Sequence, residues 1–319
     1  MNGPDRSSAA AAERVGSERV AAVVVTRNRK DLLNECLAAL LRQTRLPDRI
    51  YVVDNASTDG TAELLRARRI LADNRMVLIR LEQNTGGAGG FHEGMRQAMA
   101  DRTDWFWVMD DDACPDDDAL QALLISEPDK RHVYGSVAIN TDRGEEKLCW
   151  PAARPGLDNA FTRIELEPLQ PVHNIPFLGL FIHADLVRAI GLPDKDYFIL
   201  GDDTEYIERA RVHGSSLYLV RGSVVRHPMP ARHVFNFMGR RFHNLILPPW
   251  KKYYDVRNHI LVGRRYYGLR CWTQTLPGQI VRMIDSVIHE PDRLRMLRAY
   301  VLGILDGILG RRDRRVLPQ

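Results

Sequence analysis

Three adjacent carboxylates, Asp110, Asp111 and Asp112, follow the apolar run Trp105 to Met109. Side by side at a strand end they repel one another, and a divalent cation relieves that repulsion. Side chains alternate faces in extended chain, so Asp110 and Asp112 are expected to point together and Asp111 away. Hard cations such as Mg2+ or Mn2+ take one or two carboxylates and leave further positions for water and phosphate oxygens. The alternative is a solvated acidic turn running on to Asp116, Asp117 and Asp118. A second acidic pair, Asp202 and Asp203, opens a helical pattern containing Tyr206, Ile207 and Ala210. One carboxylate suffices to cap a helix N-terminus, which leaves the other free to act as a general base on a hydroxyl. Of the ten histidines, His227 has the most suggestive context, because it ends the run Ser223 to Arg226 and precedes Pro228 and Pro230. It is a candidate third metal ligand, the alternative being a hydrogen-bonded structural histidine.

The elements that must position these groups read as βαβ units, in which short β-branched runs alternate with helical patterns. Strands are expected at Val20 to Thr26, Arg49 to Asp54, Met76 to Leu81 and Trp105 to Asp110, with helices at Asp31 to Gln43, Thr61 to Arg69 and Phe91 to Ala100. A helix follows at Asp117 to Ile125 and a strand at Val133 to Ala138, and Leu148 to Val172 reads as loop or short irregular strands. Further strands are expected at Phe177 to His183 and Ser216 to Val220, with helices at Ala184 to Ile190, Thr204 to His213, Trp250 to Tyr267 and Gln279 to Leu309. Ligands bind beyond the carboxyl ends of strands in such a sheet. The polar residues gather there: Thr26, Arg27 and Asn28 after the first strand, Asp54 and Asn55 after the second, Gln83 to Gly90 after the third, and Asp110 to Asp112 after the fourth. A dinucleotide-binding domain needs glycines in its first βα turn, and the turn here is Thr26-Arg27-Asn28-Arg29-Lys30. The same lack argues against a sugar nucleotidyltransferase. The glycines stand instead in Asn84-Thr85-Gly86-Gly87-Ala88-Gly89-Gly90, where a helix opening would let backbone N–H groups approach a ligand closely.

Composition narrows the class. The 319 residues are 45% hydrophobic and 27% charged, as in a soluble globular protein, and the net charge of +4 is too small to make nucleic acid the expected partner. That charge is unevenly spread: Lys251 to Gln319 holds 14 basic and 6 acidic residues, against 31 and 35 in the rest. Cys36, Cys114, Cys149 and Cys271 form no C-x-x-C pair, which suits reduced thiols in a cytoplasmic protein. Residues 1–18 read as a disordered leader, residues 19–245 as the catalytic domain and residues 246–319 as a helical basic extension. In that extension Arg282, Arg293, Arg295 and Arg298 accompany Ile280, Ile284, Leu294, Val301 and Leu305, a pattern that suits either an anionic membrane surface or packing on the body or on a second subunit.

Taken together, these motifs resemble the inverting family 2 glycosyltransferases of GT-A fold, with their order of Val23-Val24-Val25-Thr26, Val53-Asp54-Asn55-Ala56-Ser57, and the Asp triplet. Within that family the run through Asn84 to Phe91, Phe198 to Tyr206, His227 and Tyr254 to Asn258 looks most like the bacterial galactofuranosyltransferases, with rhamnosyltransferases the nearest confusion. The resemblance implies an α/β fold with a mostly parallel, Rossmann-like central sheet. It also implies a metal-dependent inverting transfer of galactofuranose from UDP-galactofuranose to a hydroxyl of a polyprenyl-linked or other cell-wall glycan. The donor would be held by Thr26, Arg27, Asn28, Asp54, Asn84, Gly86, Gly87, Gly90, Asp110 and Asp111. Mn2+ or Mg2+ would sit on Asp110, Asp112 and His227, with Asp203 as base and Asp202, Glu205 and Tyr206 at the acceptor. The location expected is cytoplasmic, peripheral on the inner face of the cytoplasmic membrane, with a homo-oligomer compatible. The remaining alternatives are a rhamnosyltransferase using dTDP-rhamnose and an inactive nucleotide-binding scaffold.

Overall fold

A computed structural model describes residues 18–67, 73–141, 146–155, 157–312 and 316. The expected leader lies outside the described residues except for Glu18. Two compact units are formed: one by the chain through Thr85 with Gly90–Pro193 and Arg209–Met229, the other by Gly86–Gly89, Asp194–Glu208 and the chain from Pro230 on.

The first unit is a layered α/β body. Its elements are β1 (Val20–Thr26), α1 (Lys30–Leu41), β2 (Arg49–Asp54), α2 (Thr61–Ala67), β3 (Met76–Arg80), α3 (Gly86–Ala100), β4 (Trp105–Asp110), β5 (Cys114–Pro115), α4 (Ala119–Ile125), β6 (Val133–Asn140), β7 (Lys147–Ala152), β8 (Ala160–Thr162), β9 (Leu169–Pro171), β10 (Leu178–His183), α5 (Ala184–Ile190), α6 (Asp202–Val212) and β11 (Leu217–His227), with α3 and α6 also contributing to the second unit. The sheet runs β3-β2-β1-β4-β10-β6-β11-β5. Parallel pairing joins β3, β2, β1 and β4, and again β6 and β11, while β10 runs antiparallel between β4 and β6. Every residue of β1 is buried, as a central parallel strand covered on both faces requires. Its core mates include Val52, Leu37, Trp107 and Phe181.

The second unit contains α7 (Pro249–Tyr266), α8 (Leu276–His289) and α9 (Arg293–Leu309) with the two-stranded β12 (Arg232–Phe237) and β13 (Arg240–Leu245). Met296 and Tyr300 of α9 are buried against Val256 and Ile260 of α7. The helices approach closely because a Cβ at Gly307 would come within 2.8 Å of Ile260 Cβ.

Three expectations need correction. The glycine run is not a loop before a helix at Phe91; α3 already starts at Gly86. Gly86 carries φ +74, and Ala88 N–H bonds the Phe198 carbonyl at 3.1 Å, so the tight first turn is fixed by backbone packing. The helix expected from Gln279 to Leu309 is two helices, because Pro291 bars the α conformation at Glu290, which is extended at ψ 147. The strand expected to stop at Val220 continues to His227 through a register shift between Val220 and Val224. The β12–β13 hairpin, rich in Arg, His and Asn, gave no strand signal.

Gly94 sits where α3 lies on β1 and β2, and a Cβ there would meet Val23 Cγ1 at 2.5 Å and Val53 Cγ2 at 2.9 Å. Gly94→Val is expected to lower stability by about 2 kcal/mol or more, the overpacking exceeding the smaller gain in helix propensity. Urea unfolding should show a lower midpoint at unchanged slope; an unchanged midpoint would refute the packing role.

Candidate active site

Strand register brings the acidic groups of the first unit to one sheet end. Thr26 of β1 stands opposite Asp54 of β2, and Val25 stands opposite Asp110 of β4. The loops beyond these strands are laced to one another. Asn28, at φ 53, accepts from Thr58 N–H at 2.7 Å and donates its own N–H to Ser57 Oγ at 3.0 Å. Lys30 N–H bonds Asp59 Oδ2 at 3.1 Å, and Asn55 Oδ1 accepts from Thr85 N–H at 2.8 Å. Asp54 is fully buried; its Oδ1 accepts from Ser57 N–H at 2.9 Å. Its Oδ2 has no hydrogen-bond donor among the described residues and lies 3.7 Å from Arg80 Nε.

The Asp triplet departs from simple alternation because β4 ends at Asp110. Asp111 and Asp112, already in the turn, converge on one guanidinium nitrogen: Arg29 Nη1 lies 3.2 Å from Asp111 Oδ1 and 2.7 Å from Asp112 Oδ2. Asp111 does not point away into solvent. It is buried and accepts from Thr26 Oγ1 at 2.7 Å, so Thr26 spends its hydroxyl on the triplet. Burial pushes the Asp111 carboxyl up despite Thr26 and Arg29. Burial also raises Asp112, but the His227 imidazole and the Arg29 guanidinium outweigh it and hold that carboxyl below the ordinary range.

His227 is brought to Asp112 by pairing at the far edge of the sheet. β5, which follows the triplet, pairs antiparallel with Val225 and Arg226, and Arg226 grips Asp116 through two bonds of 2.7 and 3.0 Å. His227 Nε2 thereby lies 3.3 Å from Asp112 Oδ1. Asp112 Oδ1 and His227 Nδ1 are both buried without a hydrogen-bond partner among the described residues. A carboxylate oxygen and an imidazole held together in this way, with Trp150 tilted over the imidazole at 5.4 Å, suit a divalent cation. Asp110 is half-buried at the end of β4, just ahead of that turn. Arg27 and Asn28 are exposed at the rim, Asn84 and Gly87 are half-buried, and Gly90 is buried with no room for a Cβ beside Val25 Cγ1 at 2.4 Å.

In the second unit the acidic pair opens α6 after a contorted loop. Phe198, Leu200 and Gly201 have φ of 66, 63 and 79. Asn258 of α7 holds that loop with one side-chain amide, which donates to the carbonyls of Tyr197, Ile199 and Leu200 at 2.9, 3.0 and 2.6 Å. Arg257 adds bonds to the carbonyls of Asp196 and Tyr197 at 3.0 and 3.1 Å. Asp202 is buried, and burial together with the neighbouring Asp203 charge pushes its carboxyl well up. Asp203 is half-buried; burial raises it as well, opposed by Thr204, whose N–H donates to Asp203 Oδ1 at 2.6 Å, and by the charge of His259. His259 in turn lies 3.2 Å from Asp255 Oδ1. Glu205 and Tyr206 are fully buried, and Glu205 is engaged by Tyr266 at 2.7 Å and Arg265 at 3.2 Å.

Sequence reasoning missed Arg29, Asn258 and His259. Arg29 was hidden because a basic residue in a βα turn has no signature, and its partners stand far along the chain. Asn258 lay inside a quoted motif without an assigned task.

Residues 21–181 match the model of the family described as Glycosyl transferase family 2. A Mycobacterium tuberculosis protein named galactofuranosyltransferase GlfT1 is 32% identical over 252 residues, spanning 76% of this chain and 81% of that protein. The Shigella flexneri dTDP-rhamnosyl transferase RfbF is 23% identical over 307 residues, or 92% of this chain and 97% of its own. Among solved structures, the Pyrobaculum calidifontis mannosyltransferase PcManGT, in complex with GDP-Man and Mn2+, superposes with a TM-score of 0.57 at 16% identity, covering 94% of this chain and 93% of that one, which shows the fold as GT-A. The matched strands are those whose ends carry Thr26, Asp54 and the Asp triplet, and the chain belongs to glycosyl transferase family 2 as a glycosyltransferase.

Proposed function

We propose that the chain transfers galactofuranose from UDP-galactofuranose to a hydroxyl of a cell-wall or surface glycan carried on a lipid, with inversion. The observation that carries the reading is the half-buried pair of Asp112 and His227, Oδ1 to Nε2 at 3.3 Å, with the end of β1 between it and the oxygen of buried Asp54 that has no donor among the described residues. A nucleoside diphosphate supplies what both lack: a base N–H for Asp54 and a metal-bound diphosphate for Asp112. The M. tuberculosis relative supports galactofuranose as the sugar.

In this reading Asp110, Asp112 and His227 hold Mn2+ or Mg2+, which when bound offsets charge on the UDP leaving group. Asp54 fixes the uracil, and Thr26 and Asp111 brace each other beneath it. Arg27, Asn28, Asn84, Gly86 and Gly87 border the donor. Gly90 serves the close packing of α3. Asp203 takes the proton of the acceptor hydroxyl in a single displacement, with Asp202 protonated beside it as a hydrogen-bond donor to the acceptor, while buried Glu205 and Tyr206 support the acceptor segment from within. A protonated Asp202 spares Asp203 a like charge, so the pair needs only one ionised member.

The extension supplies the acceptor's address. Ile280, Ile284 and Ile288 form an exposed row on α8, and Leu294, Leu297, Val301, Leu305 and Leu309 form another on α9, although the opposite face of α9 is packed. Among the described residues no helix is long and apolar enough to cross a membrane. With Arg282, Arg293, Arg295 and Arg298 alongside, these rows fit the surface of an anionic bilayer.

Four outcomes test this. With UDP- and dTDP-sugars and Mn2+, UDP-galactofuranose should be the donor consumed, and Asp112→Asn should abolish that use; consumption of dTDP-rhamnose instead would transfer the reading to the rhamnosyl relative. Asp203→Ala should lower turnover about 10²- to 10⁴-fold with donor binding kept, and wild-type turnover in that variant would remove the base. Because burial raises Asp203 and the base must be ionised, kcat/KM should rise with pH along an acidic limb centred above the ordinary value of 3.8 and persist in Asp202→Asn; a limb at or below that value contradicts the assignment. The full chain should pellet with anionic vesicles, and an Ile284→Glu, Val301→Glu, Leu305→Glu variant should not; a full chain that stays in solution ends the membrane reading.

A further inference from the structure

A second cluster of ligand-bearing side chains lies in the other unit, among residues that sugar transfer does not use. His233 on β12 and His289 on α8 both face the carboxylate of Asp285. His233 Nδ1 lies 2.7 Å and His289 Nδ1 3.1 Å from the same oxygen, Asp285 Oδ1. The two imidazole centroids are 4.6 Å apart, and one ligand atom from each of the three residues falls within 4.8 Å of the others. Asp285 and His289 are four residues apart and so share one face of α8, while His233 comes from the hairpin, in register with Asn244 of β13.

The surroundings set the carboxylate rather than merely tolerating it. Asp285 is 4% exposed, whereas the two histidines are 38% and 55% exposed. Its second oxygen, Oδ2, accepts from the Asn244 amide at 2.8 Å, and Asn244 Oδ1 accepts from buried Lys252 Nζ at 3.0 Å. The anchored oxygen leaves Oδ1 directed at both imidazoles. Outer partners of this kind orient metal ligands.

We propose that His233, Asp285 and His289 bind one borderline first-row divalent cation, Zn2+ foremost, which clasps the β12–β13 hairpin to α8. Two imidazoles and one carboxylate make a nitrogen-rich donor set that suits Zn2+, with a fourth position left to water. The carboxylate-rich Asp110, Asp112 and His227 set suits Mn2+ or Mg2+ instead, so the two sites select different ions. Each histidine ligates as the neutral tautomer with its proton on Nε2, so that the Nδ1 lone pair replaces an N–H donated to Asp285.

The test uses the full chain stripped with chelator and titrated with Zn2+ alone, read by calorimetry and by the melting temperature. One equivalent should bind and raise the Tm, and Co2+ should give visible absorption bands in its place. His233→Gln and His289→Gln change partly exposed side chains and keep hydrogen-bonding capacity, so both should fold; each should weaken Zn2+ binding at least about tenfold and bleach the Co2+ bands. Asp112→Asn should leave the Zn2+ equivalent intact, which keeps this outcome separate from the fate of the donor reading. Sub-stoichiometric Zn2+, binding unchanged in the two glutamine variants, or loss of the equivalent in Asp112→Asn would each overturn the clasp.

Discussion

A carboxylate removed from water must find a cation, enough hydrogen-bond donors or a proton, because the charge itself costs several kcal/mol to desolvate. The chain buries acidic side chains repeatedly, and how each is settled separates scaffold from chemistry. Glu205 is closed by Arg265 and Tyr266, and Asp306 by Tyr253 at 2.8 Å with Arg311 at 3.6 Å. These are finished interactions with nothing left to offer. Among the described residues Asp54 keeps one buried oxygen without a donor and Asp112 keeps one that faces His227, while Asp202 is driven toward its protonated form. Leaving such groups incompletely satisfied lowers stability, and a folded chain retains them where a ligand completes the set.

The sheet is what brings the unfinished groups of the first unit to one end. Parallel strands in register put their carboxyl ends side by side, so residues from separate turns meet without any local sequence signal. That much was legible, since β-branched runs followed by polar residues mark both the strand and its end. From the residues themselves His227 was legible only as a histidine ending the run Ser223 to Arg226 ahead of two prolines. What carries it to Asp112 is the short β5 and the Arg226–Asp116 fork, and a two-residue strand has no periodicity to read.

Where reading failed, tertiary contacts had overridden local pattern. The alternation argument for Asp110 to Asp112 assumed extended chain, yet the strand stops at Asp110 and Arg29 gathers the next two carboxylates. Gly86 to Gly90 read as the approach to a helix starting at Phe91, because glycine disfavours helix by about 1 kcal/mol per residue. Close packing of Gly90 on Val25 makes helix the answer there, since a larger residue could not approach the strand. His233 carried no signal at all: its partners, Asp285 and His289, lie on a helix far along the chain, and half of the strand that carries it is polar.

The loop before Asp202 shows the same logic in its backbone. Phe198 and Leu200 in the left-handed region cost on the order of 1–3 kcal/mol each, and persist only where surrounding groups over-determine them. Asn258 does so by spending a single amide group on three carbonyls, and Arg257 adds two more bonds from inside the core. Such a clamp is wasteful if the loop has only to connect, because a relaxed turn would reach α6 with less strain. It is well suited to fixing where the first turn of α6 begins, and therefore where two adjacent carboxylates project. Burying two adjacent carboxyls opposes local ordering of that turn, and the order is imposed from α7. With Asp203 as the proposed base, the strain at Phe198 and Leu200, the clamp at Asn258 and the raised Asp202 carboxyl serve one requirement, that Asp203 keep a fixed position while it is charged.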